Sequence, residues 1–324
     1  VLQLDPNSPQ TRYNRAFARL IQGRWLEAWT DYEYRFSTPE LKGRQISGRP
    51  WDGSPLEGRT ILLYADQALG DTLQCLRYVP LVASHGGRVL LASQAALHPL
   101  LRTFPGVDQL ISISDPLPQF DVQAALMSLP GLFRTTPENV PGKVPYLSAE
   151  PALVELWRQE FAGLQGAKIG IAWQGNPHFR PGLHRSVPLA EFATLGKLPG
   201  VQLISLQKGA GVEQIAQVPF GDKVLDLSPR LDEALGPFMD TAAVMTQLDL
   251  VICCDTAVAH LAGALAVPVW VALPYVAEWR WLLDREDTPW YPTMRLFRQP
   301  EPGNWAHVFQ RIVDALRQQF RLPL

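Results

Sequence analysis

Short apolar runs and helical patterns alternate along most of this chain, and this alternation restricts the fold more than any other feature. The apolar runs of the first half, each bounded by turn residues, are predicted strands at 60–64, 88–91, 109–113 and 120–123. Helical patterns lie between the first three strands, at 71–84 and 94–102. Strands separated by helices form a parallel sheet through right-handed crossovers.

The same alternation starts again after Pro145. Strands are predicted at 168–173, 201–206, 223–226, 250–254 and 267–272, and helices at 151–164, 189–198, 241–247, 257–266 and 305–320. Two successive parallel-sheet domains predict an α/β protein with a cleft between the domains. Ligands of open parallel sheets bind beyond the carboxyl ends of the strands, so we expect function at this cleft.

Composition excludes several classes of protein. The chain has 324 residues, of which 47% are hydrophobic and 19% charged, as in a globular protein of two or three domains. Its formal net charge of −2 provides no general attraction to nucleic acid. No apolar run reaches the roughly 20 residues that cross a bilayer, and the start does not resemble a signal peptide. Cys75, Cys253 and Cys254 lack the spacing of a zinc site. We expect a cytoplasmic protein without a bound metal.

The first 40 residues have a different pattern. Two helical stretches are separated by Gly23, and Trp25, Ala28, Trp29 and Tyr32 recur three or four residues apart. A helical hairpin is predicted. Its sequence, LDPN followed by NRAFARLIQGRWLEA, resembles a tetratricopeptide repeat, which needs about three copies for stability. Because the sequence begins within this pattern, we expect a fragment with further repeats upstream; the alternative is an unrelated hairpin packed on the next domain.

The first strand leads into a turn containing Gly70 and Asp71, ahead of a helical pattern. Two interpretations of Asp71 are open. In one it is an N-cap whose carboxylate accepts a backbone N–H, the commonest role of such a residue. In the other, a carboxylate at the edge of the cleft accepts a proton from an incoming hydroxyl.

The strand at 168–173 leads into a long polar loop that ends before the next helix. The residues of interest there are Trp173, Gln174, Gly175, Asn176, Arg185 and Ser186. Glycine permits close approach of a ligand to the backbone, and the guanidinium of Arg185 can pair two phosphate oxygens. The alternative is a solvated loop with a surface arginine.

The run VICCDTAVAHLAGALAVPVWVALP, residues 251–274, contains a strand that ends at Asp255 and a helix that follows it. Asp255 and Thr256 are therefore placed at a helix N-terminus, where N–H groups and the dipole favour an anion such as a diphosphate. His260 follows one turn after Thr256, so both can face the cleft. An N-cap aspartate with a buried histidine explains these residues equally well.

Several motifs occur in a fixed order along the chain: LGDTLQ, AWQGNP, SLQKG, MDTAAVMTQLDLVI and CDTAVAHLAGALAVPVWVALP. Together they resemble the landmarks of glycosyltransferase family 9, which includes the heptosyltransferases of lipopolysaccharide assembly. The tail EWRWLLDREDTPWYPTMRLFRQ resembles a subgroup in which such a domain follows tetratricopeptide repeats. The resemblance covers about residues 50–320.

The resemblance implies a GT-B fold of two facing Rossmann-like domains. It also implies transfer of a sugar, with inversion, from a nucleotide-diphosphate sugar, without metal or other cofactor. The expected organisation is a tetratricopeptide-like hairpin at 1–40, a Pro- and Gly-rich linker at 41–58, an acceptor domain at 59–150, a donor domain at 151–304, and a C-terminal helix at 305–324 that packs back toward the first domain.

By position, Asp71 matches the general base of the family, which deprotonates the acceptor hydroxyl. Arg185 lies near a family basic residue that contacts phosphate. Lys208 follows a strand end and is expected to neutralise the departing diphosphate. The remaining residues expected at the donor site are Gly70, Trp173, Gln174, Gly175, Asn176, Ser186, Gln207, Asp240, Asp255, Thr256, Ala257 and His260.

Two departures from the family pattern matter. Ala257 replaces the glycine of the usual Asp-Thr-Gly loop, and its methyl group can crowd the phosphate. The basic position is Arg185, in HRSVP, where the heptosyltransferases have lysine. Two alternatives to a transferase therefore remain. One is a protein-binding scaffold with a degenerate GT-B domain, favoured by Ala257; the other is a sugar-nucleotide epimerase, for which His260 is the candidate second acid or base.

Two further expectations concern the acceptor. The amino-terminal repeats are expected to recruit it, as a protein or a glycan. An aromatic and basic cluster, Trp279, Arg280, Trp281, Trp290 and Tyr291, can line the acceptor side; the alternative is that these residues pack a domain against the tail.

Overall fold

The computed structural model of the protein describes residues 8–177 and 184–323. They divide into two compact units. The first runs to Lys143 and includes Glu278–Asp284, and the second comprises Val144–Ala277 and the chain from Arg285 onward. Each unit contains a parallel sheet, so the predicted α/β class is confirmed. In the part of the chain described, no helix is long and apolar enough to cross a membrane.

The first unit begins with a helical hairpin, α1 (Pro9–Ile21) and α2 (Trp25–Tyr32). Asp31 joins the two helices because its carboxylate accepts hydrogen bonds from Arg15, at 2.6 Å, and Arg19, at 2.8 Å. A short 3₁₀ helix, Glu33–Ser37, follows the hairpin.

The sheet of the first unit has four strands in the order β3-β2-β1-β4, all parallel. They are β1 (Thr60–Tyr64), β2 (Arg88–Ser93), β3 (Gln109–Ser112) and β4 (Val122–Ala125). All four were predicted to within two residues at each end. The central strand β1 is buried along nearly its whole length, as its apolar sequence requires.

The helices of the first unit are short: α3 (Leu69–Cys75), α4 (Val79–Ala83), α5 (His98–Leu101) and α6 (Leu129–Leu132). The single helix predicted at 71–84 is divided between α3 and α4 by the 3₁₀ turn Leu76–Tyr78. Pro80 lies in the first turn of α4. Proline has no backbone N–H and is tolerated at a helix start but not in a helix interior, which explains the division.

The second unit has six parallel strands in the order β10-β9-β8-β5-β6-β7. They are β5 (Ala167–Ala172), β6 (Val201–Ser205), β7 (Val224–Asp226), β8 (Leu250–Cys254), β9 (Val269–Leu273) and β10 (Met294–Arg298). The edge strand β10 was not predicted. Arginines occupy two of its five positions, and they weaken the apolar run that identifies a buried strand.

The helices of the second unit are α7 (Pro151–Glu160), α8 (Met239–Met245), α9 (Ala257–Ala264) and α10 (Trp305–Phe320). The helix predicted at 189–198 is a 3₁₀ helix, Leu189–Lys197. We expected α10 to pack back toward the first domain. It belongs to the second unit, where its apolar face lies in the core and the Phe309 ring is centred 4.5 Å from that of Phe192.

Candidate functional site

Asp71 lies in the first turn of α3, shortly after the end of β1. Its Oδ2 accepts a hydrogen bond at 3.0 Å from the backbone N–H of Ala68, which is the N-cap of the helix. Asp71 is therefore the third helical residue and not the N-cap itself, which corrects one of our two interpretations. Gly70 occupies the same turn. The N–H group that Asp71 satisfies would otherwise lack an intrahelical partner.

Arg280 provides the second partner of Asp71. Its Nη2 donates to Asp71 Oδ1 at 2.5 Å, and its Nη1 donates to Gln74 Oε1 at 2.9 Å. The Arg280 and Asp71 side chains are 7% and 12% exposed. A paired charge can be held in such a shielded place, whereas an unpaired one is costly there. The sequence indicated no such pairing, because the two residues are 209 positions apart.

A second ion pair lies at the same end of β1. Arg35 Nε donates to Asp66 Oδ2 at 2.9 Å, and Asp66 Oδ1 accepts from the backbone N–H of Met127 at 3.3 Å. Both charged side chains are buried. Burial raises the pKa of Asp66, and the neighbouring Arg35 opposes this shift. Neither residue was predicted from the sequence; for Asp66 the available signal was its position as a charged residue two positions after the buried strand β1.

In the second unit, the chain beyond β5 runs close to the start of α9. The backbone N–H of Gly175 donates to Ser186 Oγ at 3.2 Å. A Cβ at position 175 would lie 3.4 Å from Thr256 Cγ2 and 4.0 Å from Ser186 Oγ. The structure thus brings three of the predicted donor-site residues together. Asn176 is exposed beside them.

Arg185 and Asp255 complete this group. Arg185 Nη1 lies 3.6 Å from Asp255 Oδ2, a charge contact too long for a hydrogen bond. Within residues 8–177 and 184–323, neither Asp255 Oδ2 nor Thr256 Oγ1 has a hydrogen-bond partner, although both atoms are buried. Thr256 is the N-cap of α9 and its side chain makes no capping bond. Buried polar atoms without protein partners are characteristic of a ligand site.

Gln207 supports the group from within the protein. Its Oε1 accepts from the N–H groups of Trp173 (3.1 Å) and Gln174 (3.0 Å), and its Nε2 donates to the carbonyls of Gln174 (3.0 Å) and Ala210 (2.9 Å). Trp173 is buried and its indole N–H donates to the Gly211 carbonyl at 3.1 Å. The predicted residues Trp173 and Gln207 therefore shape the loop, and their polar atoms are already used.

Lys208 makes other contacts than those expected. Its Nζ donates to the Leu231 carbonyl at 2.5 Å and to the Ser228 carbonyl at 3.3 Å, and it forms an ion pair with Glu233. An ammonium has three donors, and these three acceptors use them. The structure ties Lys208 to the segment after β7 and does not bring it to Asp255.

Asp240 and His260 are also bound within the protein. Asp240 Oδ1 accepts from Trp157 Nε1 at 2.8 Å, and its Oδ2 accepts from the Asp232 N–H at 2.9 Å. His260 is 2% exposed, and its Nδ1 lies 3.0 Å from Tyr291 Oη. The buried-histidine interpretation therefore fits His260 better than the one in which it faces a ligand together with Thr256.

Two further observations bear on the predicted site. Ala257 is the first residue of α9 and is partly exposed. Among the residues that the structure describes, no three His, Cys, Asp or Glu side chains are grouped so that they could hold a metal ion.

The two parallel sheets and the polar loops beyond their strands define a GT-B fold. The structure resembles the glycosyl transferase family 9 protein of Veillonella parvula, with a TM-score of 0.61 and 11% identity over 84% of this chain and 99% of that one. It also resembles the ADP-heptose lps heptosyltransferase II of E. coli, with a TM-score of 0.57 and 13% identity over 81% of this chain and 98% of that one. At such identities the likeness establishes the fold.

In sequence, the chain is similar to Protein FlbA of Caulobacter vibrioides. The two are 30% identical over 345 residues, an alignment that includes 96% of this chain and 56% of FlbA. The chain thus spans about half the length of this curated relative. No family model matches the chain.

Proposed function

We propose that the protein is an inverting, metal-independent glycosyltransferase that moves a sugar from a nucleotide-diphosphate donor to an acceptor hydroxyl. In this proposal residues 151–304 hold the donor and residues 59–150 present the general base. The observation that carries it is the group of polar atoms at the start of α9. Asp255 Oδ2 and Thr256 Oγ1 are buried without a hydrogen-bond partner among the described residues, beside Arg185 and the Gly175 backbone.

The chemistry of this group suits a nucleoside diphosphate. The N–H groups of Ala257 and Val258 precede the first hydrogen bond of α9, which Ala259 donates to the Thr256 carbonyl, and the helix dipole adds a partial positive charge. Arg185 provides a full positive charge in a planar fork that matches phosphate oxygens. The Thr256 hydroxyl can donate to the phosphate or to the sugar. Together these groups stabilise the charge that develops on the leaving diphosphate.

Asp71 is the proposed general base. Its carboxylate accepts one hydrogen bond from Ala68 and one from Arg280, and a carboxylate has lone pairs for about two more. As the acceptor oxygen forms a bond to the anomeric carbon, its proton passes to Asp71. The bond from that carbon to the diphosphate breaks on the opposite face, and the nucleoside diphosphate leaves with the electron pair. One displacement of this kind inverts the anomeric configuration.

ADP-sugars are the first donors to test, because one structural neighbour is named as an ADP-heptose transferase. For the amino-terminal hairpin we retain the proposal of a tetratricopeptide-like unit that helps to recruit a protein or glycan acceptor; its two helices, joined through Asp31, support this. We also propose a cytoplasmic location. Cys75, Cys253 and Cys254 are buried thiols that form no disulfide, which is usual for proteins of a reducing compartment. Burial raises the pKa of Cys254 to about 12, so this thiol is an unreactive core residue.

A nucleotide-binding protein without transferase activity is the second candidate. The observation that favours it is Lys208, whose ammonium is held by Glu233 and two carbonyls and so does not supply the charge expected for diphosphate departure. The epimerase alternative loses support, because His260 is buried against Tyr291.

The test starts with thermal unfolding of the protein with ADP, UDP, GDP, CDP and their sugars. A ligand at one hundred times its Kd adds about 2.7 kcal/mol to the free energy of unfolding. Stabilisation by one nucleotide, reduced in Arg185→Met and kept in the surface control Arg158→Met, is the expected result. No response to any of them would contradict every nucleotide-based function. Mass analysis of the products then separates transfer to an acceptor from epimerisation and from simple binding.

A further inference from the structure

We propose that Arg280 is a positioning residue for Asp71, and that the amino-terminal hairpin holds Arg280 in place. The consequence for the reaction depends on the proposed role of Asp71 as general base, whereas the positioning itself does not. All the residues concerned belong to the first unit, although the sequence separates them by up to 255 positions, from Trp25 to Arg280.

Arg280 fixes the orientation of the Asp71 carboxylate. Its two terminal nitrogens bond to Asp71 and Gln74, which lie three positions apart on α3. The other Asp71 oxygen is held by the Ala68 N–H. Each oxygen thus has one fixed donor, and rotation of the carboxylate would break at least one of these bonds. A lysine at position 280 would not reproduce both bonds, because an ammonium lacks the planar fork that reaches Asp71 and Gln74 together.

The residue before Arg280 is enclosed by rings of the hairpin. The Trp279 ring is centred 5.8 Å from that of Trp25, 5.8 Å from that of Trp29 and 6.3 Å from that of Tyr32, in edge-to-face geometry. Such pairs contribute more than their buried area alone. Trp279 is 2% exposed. Since Trp279 and Arg280 share one 3₁₀ turn, a fixed Trp279 restricts where the guanidinium can lie.

The enclosing rings are themselves anchored. The indole N–H of Trp25 donates to the Leu20 carbonyl at 2.8 Å, and that of Trp29 donates to the Thr135 carbonyl at 2.9 Å. The Tyr32 hydroxyl accepts from Gln67 Nε2 at 2.7 Å, and Gln67 lies four residues before Asp71. Helix α2 therefore contacts both the segment that carries Arg280 and the loop that leads to Asp71.

The first experiment measures amide hydrogen exchange in α3 and requires no activity. Arg280→Met should raise the exchange rate of the Thr72–Cys75 amides, which follow the unbonded first N–H groups of the helix, by roughly 10-fold, because the local opening of this short helix is no longer restrained. Trp279→Phe should have a smaller effect in the same segment, and Arg158→Met should have none. Unchanged exchange in α3 for both variants would overturn the proposal. If Arg280→Met does not fold, Arg280→Lys takes its place and should give an intermediate rate.

The second experiment is a double-mutant cycle on transfer. Arg280→Met should lower kcat by roughly 10- to 100-fold, the scale of a misplaced catalytic group, while the donor KM stays nearly constant. In an Asp71→Asn background the same change should have almost no further effect on kcat. Equal loss in both backgrounds would show that Arg280 does not act through Asp71 and would reject the proposal. If the wild type transfers no sugar, the proposed function fails, and the exchange measurement still decides the positioning.

Discussion

The two candidate sites differ in how their polar groups are satisfied. In the first unit, both oxygens of Asp71 and both oxygens of Asp66 accept hydrogen bonds from the protein. In the second unit, Asp255 Oδ2 and Thr256 Oγ1 have no such partner within the described residues, although they are equally buried. The difference fits the roles proposed for Asp71 and for the donor site. A group that moves a proton has to be held still, whereas a group that binds a ligand must keep donors and acceptors available.

This contrast predicts opposite effects of substitution. In the first unit, removal of one member of a polar pair leaves the other buried and unsatisfied, so stability falls. In the second unit, removal of an unpaired polar atom should lower the affinity for a ligand and change the stability of the protein little.

The largest effect on stability is expected for Arg35→Met. The change leaves the buried Asp66 without its guanidinium partner, and breaking a buried ion pair costs about 3–5 kcal/mol. Denaturant unfolding followed by tryptophan fluorescence would measure this loss. Arg24→Met, which removes an exposed ion pair of the same hairpin, should leave stability unchanged. If the free energy of unfolding fell no more in the Arg35 variant than in the Arg24 variant, the polar pairs of the first unit would not have the stabilising role inferred for them.

Asp71→Asn should reduce the transfer rate by about 100-fold or more, the scale of general-base catalysis. The amide cannot take the proton of the acceptor, but the donor site is untouched, so nucleotide binding should remain close to that of the wild type. Rates would be measured with saturating donor below the unfolding transition. Asp314→Asn, on the exposed face of α10, is the matched control. An Asp71→Asn enzyme as fast as the wild type would remove Asp71 from the reaction.

Arg185→Met is expected to weaken nucleotide binding by roughly 10- to 100-fold, because a hydrogen bond to a charged group contributes about 1.5–3 kcal/mol. Calorimetric titration with the nucleotide found by thermal unfolding would measure the change. The affinity should also fall with added salt in the wild type and less so in the variant. Undiminished affinity would place the diphosphate away from Arg185.

Thr256→Val gives the smallest effect and the sharpest test of the contrast. Loss of the hydroxyl should weaken nucleotide binding by about 2- to 10-fold, the value of a neutral hydrogen bond, and should change stability by less than about 0.5 kcal/mol. The control is Thr246→Val, which removes a hydroxyl bonded to the Ala243 carbonyl. That variant should lose some stability and keep its affinity. The reverse pattern would show that the hydroxyl at 256 serves the fold.

Much of the fold could be predicted from the sequence because buried parallel strands have continuous runs of apolar residues. Strands β1 and β8 were located in this way, and Asp255 and Thr256 follow directly from the end of β8. Local pattern alone also places Asp71 in the first turn of a helix. Each of these predictions depends on residues that are neighbours in the chain, so a short window contains the whole signal.

The remaining features depend on partners that are distant in the sequence. Whether Lys208 meets a ligand or Glu233, and whether His260 faces a ligand or Tyr291, is decided by tertiary contacts. The pairing of Arg280 with Asp71 is the clearest case. The sequence grouped Arg280 with neighbouring aromatic residues, but nothing in that segment indicates an acid in the first strand-to-helix turn.

The enclosure of Trp279 by α2 also has a consequence for biosynthesis. The ribosome makes Trp25, Trp29 and Tyr32 some 250 residues before it makes the indole that covers them. Throughout that interval the nascent first unit presents an uncovered aromatic surface, and such surfaces recruit chaperones or aggregate. A nascent chain stalled before residue 279 should therefore bind chaperones more strongly than one in which residues 279–284 have left the exit tunnel.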